Sequence, residues 1–175
     1  MRISFVALGA ALAAQALILT ACNPTFNWRD VRPDGSRLAL LMPCKPEKAQ
    51  KSVAMAGQAT ELLLLSCDAG GATFGVAIAD VKDASKAAAA LAQWQSATLA
   101  NMKAAADAPG AAIKLPGLAG QGVLVKATGQ RANGQAVSSQ AAYFAQGAVV
   151  FQAVMYADTI APEVADTFFS GLKFE

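Results

Sequence analysis

The chain has 175 residues, with 14 Lys or Arg against 12 Asp or Glu and no histidine. So small a charge surplus, with no basic run interleaved with aromatics, argues against an electrostatic nucleic-acid binder. The missing imidazole removes Ser-His-Asp and Cys-His nucleophilic designs and histidine-metal centres.

Met1-Arg2 is a minimal positive start, and Ile3 to Leu19 is an uncharged run of mostly Leu, Ile, Val, Phe and Ala. This is the layout of a secretory signal. The run approaches the length of a membrane-spanning helix, so an uncleaved anchor is the competing reading. The next residues decide between them. Leu19-Thr20-Ala21-Cys22 places an aliphatic residue, two small residues and a cysteine in succession, and resembles the lipobox of bacterial lipoproteins. The resemblance implies cleavage after Ala21, a thioether-linked diacylglyceryl group on Cys22 and usually an N-acyl chain, with no other cofactor. A free Cys behind a plain signal peptide is the bland alternative. Each buried methylene contributes about 0.8 kcal/mol, so two or three chains hold a protein on a membrane almost permanently. Asn23 stands where inner-membrane lipoproteins of enteric bacteria carry Asp. The resemblance therefore implies the periplasmic face of the outer membrane.

Residues 1–21 are thus expected to be a signal peptide, 22–36 a lipidated N-terminus and tether, and 37–175 a single α+β domain. The mature chain of 154 residues suffices for one core. Its side-chain charges are nearly balanced, and no uncharged segment after Cys22 is long enough to span a bilayer. Cys44 and Cys67 remain as an even pair. In an oxidising compartment they suggest a disulfide, with two buried reduced thiols as the alternative.

Along the mature chain, Phe26 and Trp28 are read as packing back on their own domain. Arg37 to Met42 is a first strand stopped by Pro43. Lys51 to Ala56 alternates, Gly57-Gln58 offers a turn, and Leu62 to Leu65 suits a strand buried on both faces. Thr73 to Asp80 sets Phe74, Val76 and Ile78 on one face and Gly75, Ala77 and Ala79 on the other, which leaves room for a close-packed helix. That helix is expected from Asp83 or Ser85, with Ser85 as N-cap, to Ala106. Its apolar stripe is Leu91, Trp94, Thr98, Met102 and Ala105. After Pro109-Gly110 the chain returns to strands: Ile113 to Leu115, Gly122 to Gly129, and a hairpin from Gln135 to Tyr156 across Gln146-Gly147. Asn133-Gly134 is the strongest turn signal. Pro162 opens a short helix carrying Val164, Phe168 and Leu172. The order gives an α+β fold: a mainly antiparallel sheet of about seven or eight strands, with one long helix and one short C-terminal helix packed on it.

Leu40-Leu41-Met42-Pro43 before a meander and the long helix, the turn at Pro116-Gly117, and the close in Phe168-Phe169-Ser170-Gly171-Leu172-Lys173-Phe174 make up a layout that resembles the PsbP/Mog1-like α/β/α sandwich of small bacterial lipoproteins. Members bind assorted partners, so the resemblance implies a fold and supplies no catalytic residue.

The carboxylates Asp68, Asp80, Asp83, Asp158, Glu163 and Asp166 fall near expected turns and helix starts, where acids cap backbone N–H groups. Asp80-Val81-Lys82-Asp83 is a dense charge set, better read as a dressed helix start than as a cation site. Gly70-Gly71 and Gly117 to Gly122 lack the context of a phosphate loop. No catalytic or metal-binding set stands out. The expectation is a non-enzymatic, lipid-anchored accessory or interaction module of the cell envelope, with an envelope protein as partner. The alternative is a carrier of a lipid or small hydrophobic ligand, with Leu62 to Leu65, Trp94, Met102, Phe151 and Phe168 as pocket walls.

Overall fold

The computed structural model describes residues 25–175; Leu19, Thr20, Ala21 and Cys22 lie outside them. The strands are β1 (Arg29–Val31), β2 (Leu38–Met42), β3 (Glu47–Met55), β4 (Gln58–Ala69), β5 (Ala72–Asp80), β6 (Gly110–Ile113), β7 (Gly122–Gln130), β8 (Ala136–Gln146), β9 (Val149–Ala157) and β10 (Lys173–Phe174). The helices are α1 (Ala87–Asn101), entered through the 3-10 turn Ala84–Lys86, and α2 (Pro162–Ser170). Seven strands form one sheet in the order β3-β4-β5-β9-β8-β7-β6, and β1, β2 and β10 form a second sheet of three. All pairings are antiparallel. The α+β class read from the sequence holds.

The two faces of the large sheet differ because side chains alternate along each strand. In register, Ile78 faces Phe151 and Val76 faces Ala153. These residues meet Leu38, Leu40 and Met42 of the small sheet and Ala165 and Phe168 of α2 in one core. Phe74 and Phe168 stand edge to face, and Phe144 stacks on Phe151. On the opposite face Ala79, Val150, Val154, Ala141 and Tyr143 pack under α1. The small side chains of Ala77 and Ala79 leave that face flat, as the alternation in β5 predicts. The molecule is therefore three layers: α1, the seven-stranded sheet, and the small sheet with α2.

Several expectations change. The segment expected as tether already belongs to the fold. Arg29–Val31 pairs with β2, and Phe26 and Trp28 pack on Phe74 and on each other. Gly70, at φ of 59°, lets the Phe26 ring lie directly on the β4–β5 turn, and a Cβ there would push the ring aside. The folded domain thus begins before Arg37, because these aromatics cover an otherwise open end of the core. Asp83, not Ser85, caps the 3-10 turn that leads into α1: Asp83 Oδ1 accepts from the Ser85 backbone N–H at 2.9 Å, and Lys86 at the start of α1 itself makes no side-chain cap. The helix ends at Asn101 instead of Ala106. The Ala104 N–H bonds the Leu99 carbonyl and the Lys103 N–H that of Ala100, around a Lys103 with φ of 52°. This is a Schellman closure with lysine where glycine is usual. Leu172 is buried but follows α2. Only Leu65 of the four leucines is fully buried; Leu62 and Leu64, on the α1 side of β4, stay partly open because α1 lies over β8 and β9.

Candidate functional site

The sequence turns between β3 and β4 at Ala56 and Gly57, both at positive φ, 52° and 79°, as a two-residue type I′ hairpin demands. This tight reversal carries the hairpin beside α1, where two side-chain bonds hold its tip. The Ala56 N–H donates to Gln93 Oε1 at 3.2 Å, and Gln58 Nε2 donates to the Val81 carbonyl at 2.9 Å. Between hairpin and helix a cleft of about 200 Å³ remains. Val53, Met55, Leu62 and Trp94 give it apolar walls, and Gln93, Thr98 and Asn101 supply polar atoms along the helix side.

Two polar features adjoin it. Thr98 Oγ1 donates to the Trp94 carbonyl at 2.9 Å and accepts from Gln152 Nε2 at 2.9 Å, while the same amide donates to the Tyr143 hydroxyl at 3.0 Å. Tyr143 and Gln152 are register partners in β8 and β9, so this buried network ties α1 to the middle of the sheet. Burial pushes the Tyr143 phenol up, and burial with the neighbouring Tyr143 pushes Tyr156 up to about 12. Both therefore stay neutral at ordinary pH. The second feature is Thr60, which faces Val53 across the hairpin and shares the α1 side of β4 with Leu62. It is 5% exposed, and its hydroxyl has no hydrogen-bond partner among the described residues. A buried hydroxyl left unpaired costs about 1–3 kcal/mol.

Four of the acids named from the sequence do structural work. Lys82, by side chain and backbone N–H, holds the Asp80 carboxyl below its usual range. Ser85 does the same for Asp83. Asp68 accepts from Thr73 at 2.6 Å, and Asp158 pairs with Arg131. Among the described residues no three acidic or cysteine side chains gather as a metal site. Cys44 and Cys67 are joined in a disulfide, with Cα atoms 6.0 Å apart.

The proposed pocket-wall residues do not converge. Phe151 and Phe168 fill the core on the far side of the sheet, Met102 is buried at the end of α1, and Leu62 and Trp94 alone of that set line the cleft. Sequence reasoning missed Val53 and Gln93 as parts of a site. The only signal was the alternation of β3, which puts Val53 and Met55 on one face.

No protein-family model matches the chain, and no curated protein matches it. Among solved structures, a protein from Bacteroides thetaiotaomicron superposes with a TM-score of 0.47 at 11% identity, covering 79% of this chain. This chain spans 45% of that protein's length. A Pseudomonas aeruginosa protein of unknown function gives a TM-score of 0.34 at 18% identity, covering 75% of this chain and 83% of its own.

Proposed function

We propose that this protein is a lipid-anchored, non-enzymatic interaction module of the bacterial cell envelope, held on the periplasmic face of the outer membrane by acyl chains on Cys22. The lipobox-like Leu19-Thr20-Ala21-Cys22 carries the anchor. The packing of Phe26 on the turn at Gly70 supports a short leash. Three residues separate Cys22 from Phe26, a reach of about 14 Å. A domain so tethered meets its partner close to the membrane surface. The helices on opposite faces of the sheet also support the PsbP/Mog1-like resemblance.

The observation that favours interaction over transport is the size of the cleft. At about 200 Å³ this mainly apolar cleft is smaller than the ~300 Å³ at which ligand pockets usually begin, and the roomier hollows, of about 330–370 Å³, open among polar and charged residues such as Lys126, Ser139, Arg37, Lys45 and Asp68. The cleft also stands beside an open strand edge. Replacing Cys22 by Ser should release a folded domain into the soluble periplasmic fraction and abolish palmitate labelling. A Cys22→Ser protein that stays with the membrane would show the anchor reading to be wrong.

A further inference from the structure

The geometry points to joint use of β3 and the cleft: an extended segment of a partner protein adds to β3 as a further strand, sets a tyrosine-like side chain in the cleft and lays a carboxylate, two residues away, on Lys51. This deepens the interaction-module reading and rests on it.

β3 is the outermost strand of the large sheet, so its outer backbone groups have no strand partner among the described residues. It offers nine residues, against four in β6 at the other edge. It contains no proline, and its Lys48 is drawn to Asp34 on the face away from α1. On the α1 side, Lys51 faces Leu62, Val53 faces Thr60 and Met55 faces Gln58. The cationic and apolar positions therefore lie two residues apart on one face, and Val53 and Met55 are cleft walls. A strand added alongside presents its alternate side chains to that same face. Residues opposite Val53 and Lys51 must then be spaced by two, the first large and apolar, the second acidic.

The cleft adds the rest of the specificity. Its volume accepts one large side chain. Gln93 and Asn101, exposed along the helix, favour a ring with a polar tip over a purely apolar one. Lys51 makes no ion pair among the described residues, so its charge is free for a partner. Self-addition centred on β3 would set Lys51 against its own copy, which like-charge repulsion disfavours.

The probe is a synthetic nine-residue peptide of alternating threonine and valine, with one tyrosine and, two positions along, one aspartate. Hydrogen exchange of the full chain in detergent should show new protection at Glu47–Met55, and Trp94 fluorescence should shift as the cleft fills. Lys51→Glu should weaken binding about five-fold, and a peptide with lysine in place of the aspartate should bind that variant better than the wild type. The proposal is overturned by no protection at about 1 mM peptide, by protection at Gly110–Ile113 instead, or by binding indifferent to Lys51→Glu. Protection of β3 without peptide that grows with protein concentration would name a second copy as the occupant and also overturn it. Photo-crosslinkers placed at Ala49 and at Ala111 in the native envelope separate the two levels. A protein adduct at Ala111 alone overturns the β3 proposal and keeps the module reading. No adduct at either, and none from lysine crosslinking of the whole surface, overturns both.

Discussion

Lys103, two residues past the end of α1, sits at φ of 52°, a conformation that brings any Cβ close to the following carbonyl at a cost of about 1–2 kcal/mol. Its side chain is exposed and makes no ion pair among the described residues, so nothing in the folded state offsets that cost. Lys103→Gly should therefore raise stability by about 0.5–1 kcal/mol, the remainder being taken by the greater freedom of glycine in the unfolded chain. A urea midpoint that rises with an unchanged slope would bear this out, and a falling midpoint would contradict it. Tyr156 makes the opposite kind of contribution. Its phenol titrates at about 12 in the folded protein because it is buried beside Tyr143, whereas an unfolded chain loses that proton near pH 10. The unfolded state then binds fewer protons than the folded one, so stability is whole below about pH 10 and falls as pH climbs toward 12. Tyr156→Phe should flatten this alkaline decline in denaturant midpoint; a decline as steep as that of the wild type would assign it elsewhere.

Elements whose two faces differ were legible in the sequence, and elements held by distant partners were not. The β5 strand reads directly because Phe74, Val76 and Ile78 alternate with Gly75, Ala77 and Ala79, and the contrast in bulk names both the core face and the helix face. Pro162 and the residues after it announce α2 for a similar reason, since proline is tolerated only in the first turn. The two-residue β10 has no such pattern. It exists because the Phe174 N–H reaches the Pro116 carbonyl at 2.8 Å and β2 pairs beside it. The end of α1 was hidden as well: the alanine-rich sequence runs on past Asn101, and the stop is imposed from outside. A Cβ at Gly129 would come within 2.2 Å of the Met102 carbonyl oxygen, which the Gln130 N–H bonds at 2.6 Å. The cleft depends on where α1 lies across the sheet. Centring the helix on β8 and β9 leaves Leu62 half covered, and no local signal in either segment encodes that offset. The proposed anchor is the reverse case, since its motif lies wholly in four consecutive residues, 19–22.

At the scale of the molecule, the Cys44–Cys67 bond joins the segment after β2 to β4, and so fastens the small sheet to the large one. The two are also held by a continuous core of Leu38, Leu40, Met42, Phe74 and Phe168, all nearly inaccessible to water. If that core suffices to dock the layers, the bond acts mainly by restricting the unfolded chain. Closing a loop over a separation of 23 residues is then worth about 3 kcal/mol. The two tryptophans allow a direct test, because Trp28 packs on the Phe74 side of the sheet and Trp94 on the α1 side. A Cys44→Ala/Cys67→Ala protein is expected to lose about 3 kcal/mol while Trp28 and Trp94, each followed in a variant with the other replaced by Phe, report one coincident urea transition. Were the bond instead a local staple, Trp28 would lose its native emission at lower urea than Trp94, because the small sheet would detach while α1 stayed on the large one. Coincidence makes the three layers a single cooperative unit, with the small sheet bound as firmly by its side chains as by sulfur.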